Sequence, residues 1–128
     1  MSGQVRDQYG RPLRGSLEGA VPGVPERTEI TSELAWSEAL EYLAADRPFH
    51  AHEVFEQRWR CCPDEERAVW QTLAQWAAAL THLARGNRTG AVSIAQSALA
   101  NLDAVQNMSA VVDLATVRTS LATLLHAA

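Results

Sequence analysis

His52 and Glu56 stand four residues apart in the run Phe49-His50-Ala51-His52-Glu53-Val54-Phe55-Glu56, and Trp59 follows three residues later. On a helix this spacing stacks the imidazole one turn from the carboxylate. A helical projection places Phe49, His52, Phe55, Glu56 and Trp59 within about a third of the circumference, so the two polar groups are expected to go into the core among three aromatic rings. A buried carboxylate must be paired, hydrogen-bonded or protonated. The local solution is a bond between His52 and Glu56, with Glu53 at the edge of the stripe. His50 points away from this face and, like His126 near the chain end, is expected in solvent. Arg58 and Arg60 are expected to pair with glutamates on the exposed surface, an arrangement worth little.

A second set of polar groups lies further along. Residues 68–84 contain no Asp, Glu, Lys or Arg, yet hold Gln71, Gln75 and His82 opposite a face made of Trp70, Leu73, Trp76, Ala77, Leu80 and Leu83. A helix uncharged all round is usually a buried one, which predicts a central helix on which Gln75 and His82 can meet His52 and Glu56. Two imidazoles and a carboxylate, His52, Glu56 and His82, form an adequate ligand set for a divalent metal such as zinc. The same groups could act as general acid and base in a small-molecule pocket, or form an inert network that fixes helix register. Di-metal carboxylate bundles use Glu-x-x-His pairs from two helices; here the order is reversed and no second copy exists. No nucleophile with an adjacent base, phosphate-binding loop or cofactor fingerprint is present, so no catalytic residue or reaction is assigned.

The elements that must position these groups are all helical. Thr31 or Ser32 can cap a first helix to about Ala45, and Pro48 suits the first turn of a second that runs to about Arg60. Pro63-Asp64-Glu65-Glu66 starts a third, which Gly86-Asn87 stops. A fourth, from about Thr89 to Asp103, shows a stripe of Ala91, Ala95, Ala98 and Leu102 that invites close packing on the third. After a connector over residues 104–112, Asp113 can cap a last helix. The fold class is therefore all-α, a compact bundle of about five helices. Five of the seven glycines and three of the five prolines fall within residues 1–25. Residues 1–28 are thus expected to form a flexible or loosely docked arm, with Tyr9-Gly10-Arg11-Pro12-Leu13 as the piece able to dock, and residues 29–128 a single helical domain.

Composition narrows the function. The chain has 128 residues, 47% of them hydrophobic, and a formal net charge of −4. All eleven basic residues are arginines, and they form no basic stripe, which argues against nucleic acid as partner. No run is long enough to cross a bilayer, and the opening MSGQVRDQYG lacks an apolar stretch, so the expected location is cytoplasmic. Cys61 and Cys62 are adjacent, cannot staple separate elements and lack metal-site spacing; two reduced thiols are expected.

The His-Glu block with Trp59, the segment Glu66-Arg67 followed by Trp70-Gln71-Thr72-Leu73-Ala74-Gln75, and the run His82-Leu83-Ala84-Arg85-Gly86-Asn87-Arg88-Thr89-Gly90-Ala91 together resemble the small helical family catalogued as domain of unknown function 309. The resemblance covers about residues 32–128, and Gly10-Arg11-Pro12-Leu13 looks like the leader of its actinobacterial members. It implies a helical fold but no activity. The residues it singles out are His52, Glu53, Glu56, Trp59, Arg67, Gln75, His82, Gly86, Asn87, Gly90 and Ala91. Thr72 stands where relatives often carry Gly, and Cys61-Cys62 where they carry basic or polar residues. The candidate pocket is therefore His52, Glu53, Glu56, Arg67, Gln75, His82 and Asn87. The alternative is a scaffold that works through its surface, as a homo-oligomer or by holding a partner.

Overall fold

The computed structural model describes residues 5–13, 18–105 and 111–127. Five α-helices follow in order: α1 (Ser32–Ala44), α2 (Pro48–Cys61), α3 (Arg67–Ala84), α4 (Arg88–Ala104) and α5 (Leu114–Ala127), with a single 3-10 turn at Asp64–Glu66 before α3. Among the described residues there is no β-strand; two isolated bridges, from Arg6 to Pro12 and to Val21, tie the arm to itself. No described helix is long and apolar enough to cross a membrane.

Local chemistry sets the helix ends. Thr31 accepts the amide of Leu34 at 3.1 Å, and Asp113 accepts that of Thr116 at 3.2 Å, which satisfies donors that the first turn leaves free. Pro48 occupies the first turn of α2. Gly86, at φ 81°, supplies the left-handed residue that ends α3, and Asn87 caps α4 by accepting the amide of Gly90 at 3.0 Å. The middle of the expected connector, residues 106–110, lies outside the described residues.

α3 is the central helix, packed on α2 and on α4, while α1 lies on α2 and α5 on α4. Its buried residues include Val69, Trp70, Leu73, Trp76 and Ala77. On α4 the expected stripe Ala91, Ala95, Ala98 and Leu102 is buried, and the missing side-chain bulk lets the two backbones approach. Phe55 sits at the aromatic centre, 6.2 Å from Trp70, 6.1 Å from Trp76 and 6.4 Å from Trp36 by ring centroids. Full burial of such a ring stabilises by roughly 1.5–3 kcal/mol.

α2 departs from its expected orientation. Its buried residues are Pro48, His50, Ala51, Val54, Phe55 and Gln57, so of the projected aromatic stripe only Phe55 reaches the core. Phe49 and Trp59 are half-buried at either end of the helix. Ala51 and Val54 take the inner face because α1 closes on that side. His50 goes in with them and is 1% exposed, not solvated as expected. Tyr42 of α1 stacks on it at 5.6 Å. Burial, reinforced by the Arg47 guanidinium, pushes its pKa down to about 4, so it is neutral at neutral pH. His126 is exposed, as expected.

The segment before α1 lies on the helices. Arg27 pairs with Glu38 and donates to Gln57 at 2.8 Å, Gln57 donates to the carbonyl of Pro25 at 2.8 Å, and Arg58 donates to that of Ile30 at 3.0 Å. Further upstream, the Arg85 side chain donates to the carbonyl of Tyr9 at 2.8 Å, and the Tyr9 hydroxyl donates to Asp46 at 2.6 Å. Gly10 is buried against the Phe49 ring so closely that a β-carbon there would fall 2.2 Å from it.

Candidate functional site

Because the inner face of α2 is Ala51–Val54–Phe55, the line His52–Glu56–Trp59 turns toward the gap between α3 and α4. There it borders a cleft of about 410 Å3. Six polar side chains line it: His52 and Glu56 from α2, Gln71 and Gln75 from α3, and Ser93 and Ser97 from α4. Trp59, Ala74, Ala78 and Ile94 complete the walls. Gln71, Ser93 and Ser97 are exposed at the mouth, whereas Ala74 is buried in the floor. The volume lies in the range of ligand-binding clefts, as does the mixture of apolar walls and a few placed polar groups.

His52 and Glu56 are not buried among aromatics; their side chains are 26% and 42% exposed, with Nδ1 of the histidine 3.7 Å from a carboxylate oxygen. That is ion-pair distance rather than a hydrogen bond. Burial lowers the His52 pKa, Glu56 opposes the shift, and Arg60 adds to it. The imidazole is therefore held in its neutral form, with a nitrogen able to accept. On the α3 side, Gln75 accepts from Asn101 at 2.9 Å, which points its carbonyl away and leaves the amide hydrogens for other partners.

The absence of charge on α3, expected to mean complete burial, has a different cause. Gln71 is exposed and Gln75 half-buried; this face floors the cleft and is partly wet.

His82 is placed elsewhere. It borders a smaller hollow of about 150 Å3, which also touches His52, Phe49, Thr81 and Arg85. Its Nδ1 lies 3.0 Å from Asn87 Nδ2. Since Asn87 Oδ1 already accepts from Gly90, the amide nitrogen faces the imidazole, and His82 Nδ1 must accept. Gly90 belongs to the same lock, since a β-carbon there would stand 2.6 Å from Asn87 Nδ2 and 3.0 Å from His82 Nδ1. The Arg-Gly-Asn-x-x-Gly-Ala block is thus the machinery of the α3–α4 turn. His52, Glu56 and His82 do not form one ligand set: among the described residues no three His, Cys, Asp or Glu side chains are grouped to hold a metal ion.

Three more candidates fall outside the cleft lining. Glu53 is half-buried, and burial raises its pKa against the pull of Arg6. Arg67 donates to the Trp59 carbonyl at 3.3 Å and pairs with Asp64 at 3.2 Å, and its guanidinium stands 5.6 Å from the centre of the Trp59 ring. It therefore braces a wall of the cleft from behind. Asn87 is a helix cap. Arg58, expected at the exposed surface, is instead 13% exposed and pairs with Glu66 at 3.1 Å. Glu66 also accepts from Trp70 at 2.9 Å, and this bond above all lowers the Glu66 pKa. Cys61 and Cys62 are free thiols, and burial raises the pKa of Cys62, which makes it a poor nucleophile.

Ser93, Ile94 and Ser97 were not legible as site residues. The available signal was the spacing of Ser93 and Ser97, four apart and off the alanine stripe of α4. No curated protein and no solved structure gives a significant match to the chain. Residues 36–94, from α1 into α4 and so less than the span of the resemblance, are similar to the family described as domain of unknown function (DUF309).

Proposed function

We propose that this protein binds a small molecule in the cleft between α2, α3 and α4. The observation that carries the reading is the orientation of α2, which turns His52 and Glu56 away from the core and, with Trp59 packed at the core's edge, toward a cleft of about 410 Å3. An inert register-fixing network would have its polar groups paired with one another. Here His52 and Glu56 stop short of a hydrogen bond and stay partly exposed at the cleft. Polar groups left open in this way are the kind a ligand satisfies. The scaffold reading has less support. Among the described residues the exposed large apolar side chains, Val5, Leu34 and Leu83, sit on three different segments and make no docking patch.

A thermal-shift panel of small organic compounds tests the proposal, run on the wild type and on Ser97→Trp, which places an indole in the cleft from the exposed side of α4. Binding stabilises by mass action, so some compounds should raise the wild-type melting temperature and leave the variant unmoved. Compounds that stabilise both alike, or a panel that stabilises neither, would count against the cleft.

A further inference from the structure

The cleft has a charge of one sign. Of the described residues that line it, Glu56 is the only one with a formal charge at neutral pH, His52 aside, and no described arginine reaches the lining. The nearest guanidinium with a role at the wall, that of Arg67, is committed to the Trp59 carbonyl and Asp64. Arg60, whose charge is felt at His52, is exposed and stands outside the lining, so an anionic ligand in the cleft would lie beside the Glu56 carboxylate with no cation in the lining to compensate, an arrangement that specificity normally uses to reject a partner. A cation would meet the reverse. Glu56 offers its carboxylate, and the Ser93 and Ser97 hydroxyls offer further acceptors at the mouth. Trp59 contributes an aromatic wall, which attracts a positive charge as well as apolar surface. Ala74, Ala78 and Ile94 add apolar lining that an ammonium group alone would leave unused.

We infer that the cleft takes a small amphipathic amine, with its ammonium at Glu56 and the hydroxyl rim and its apolar body against Trp59 and the alanine floor. The inference rests on the proposed function and narrows it to a ligand class.

Three compounds of similar shape separate the possibilities: 2-phenylethylamine, the neutral 2-phenylethanol and the anionic 3-phenylpropionate. Titration calorimetry at millimolar concentrations should rank the amine first, by about tenfold over the alcohol, the size of one charge-assisted contact at a partly exposed site. Glu56→Gln, at a half-exposed position, should abolish that preference, so that the amine binds no more tightly than the alcohol. Ser97→Trp should weaken all three. If the alcohol or the acid binds as tightly as the amine, or if Glu56→Gln leaves the amine's advantage intact, the amine class is wrong although the cleft remains a binding site. If none of the three binds, both the amine class and the cleft reading fall.

Discussion

The two ends of α2 use one device to opposite effect. At the start, two guanidinium groups stand near the Phe49 ring, Arg6 at 5.3 Å and Arg85 at 5.6 Å from its centre, and Gly10 closes over it. Towards the other end, Trp59 has Arg67 at 5.6 Å, and the cleft opens beside it. The hollow that touches the Phe49 ring is about 150 Å3 and the cleft beside Trp59 about 410 Å3, while a separate hollow of about 390 Å3 borders Pro48 without touching that ring. An aromatic ring at the border of a helix face, covered by arginine, can thus seal a core or wall a site. What decides is whether a further piece of chain, here one led by a glycine, is laid on top. The polar groups follow suit. His50 is shut in at the sealed end and His82 is used up in a turn, while His52, Glu56 and Gln75 border the open cleft.

This contrast predicts that substitutions at the sealed end act on stability and those at the open end do not. The largest effect is expected for Phe49→Ala, which removes the ring that Arg6, Arg85 and Gly10 all use. A loss of about 3 kcal/mol, read by denaturant unfolding, is expected from the usual cost of deleting a packed aromatic. Gly10→Val should follow at about 2 kcal/mol, because a branched side chain suits neither the positive φ of 79° nor the space beside the ring. An unchanged midpoint in either variant would mean that the arm's contacts contribute nothing to stability.

A pH dependence should come next. The folded protein holds His50 neutral down to about pH 4, whereas the unfolded chain takes up the proton near its ordinary value of 6.5. Between those values the unfolded state binds more protons, so stability is complete above pH 6.5 and falls as the pH drops toward 4. The loss is on the order of 2 kcal/mol. His52, also lowered, adds in the same direction. His50→Leu should flatten most of the slope; an unaltered slope would assign it to another group. Smallest of all, Glu56→Gln should change stability by less than about 0.5 kcal/mol, since its ion pair with His52 is half-exposed. A loss several times larger would show that Glu56 is part of the core after all and would erase the contrast between the two ends.

Much of the fold was legible because its signals are local. Thr31, Pro48, Gly86 and Asp113 mark helix ends through chemistry complete within a few residues, and the uncharged run of residues 68–84 marked α3 as central. What was not legible depends on partners distant in sequence. A projection of α2 shows which residues share a face but not which face α1 will cover, so it points to the aromatic stripe as the core and to His50 as wet, where the structure has Ala51, Val54 and His50 inside. Nothing in a glycine-rich arm says that one glycine will fit flat on a ring 39 residues away. In the candidate site, His52, Glu56 and Gln75 stood out as polar residues in apolar surroundings. Ser93 and Ser97 did not, because serines on an exposed helix face need no explanation until a cleft is found beside them. The resemblance singled out His82 and Asn87 alongside cleft residues, and only the structure separates a turn lock from a cleft wall.

The central claim is that the end of α2 beside Trp59 is open for a ligand while the Phe49 end is closed. It is tested most directly by NMR on uniformly labelled full-length protein titrated with mixed small fragments, with the backbone amides of both ends followed together. Shifts confined to the amides around Glu56, Gln75, Ser93 and Ser97, with those around Gly10, Phe49 and Arg85 unmoved, are the predicted result. Shifts centred on Gly10 and Phe49 with a silent cleft would contradict it.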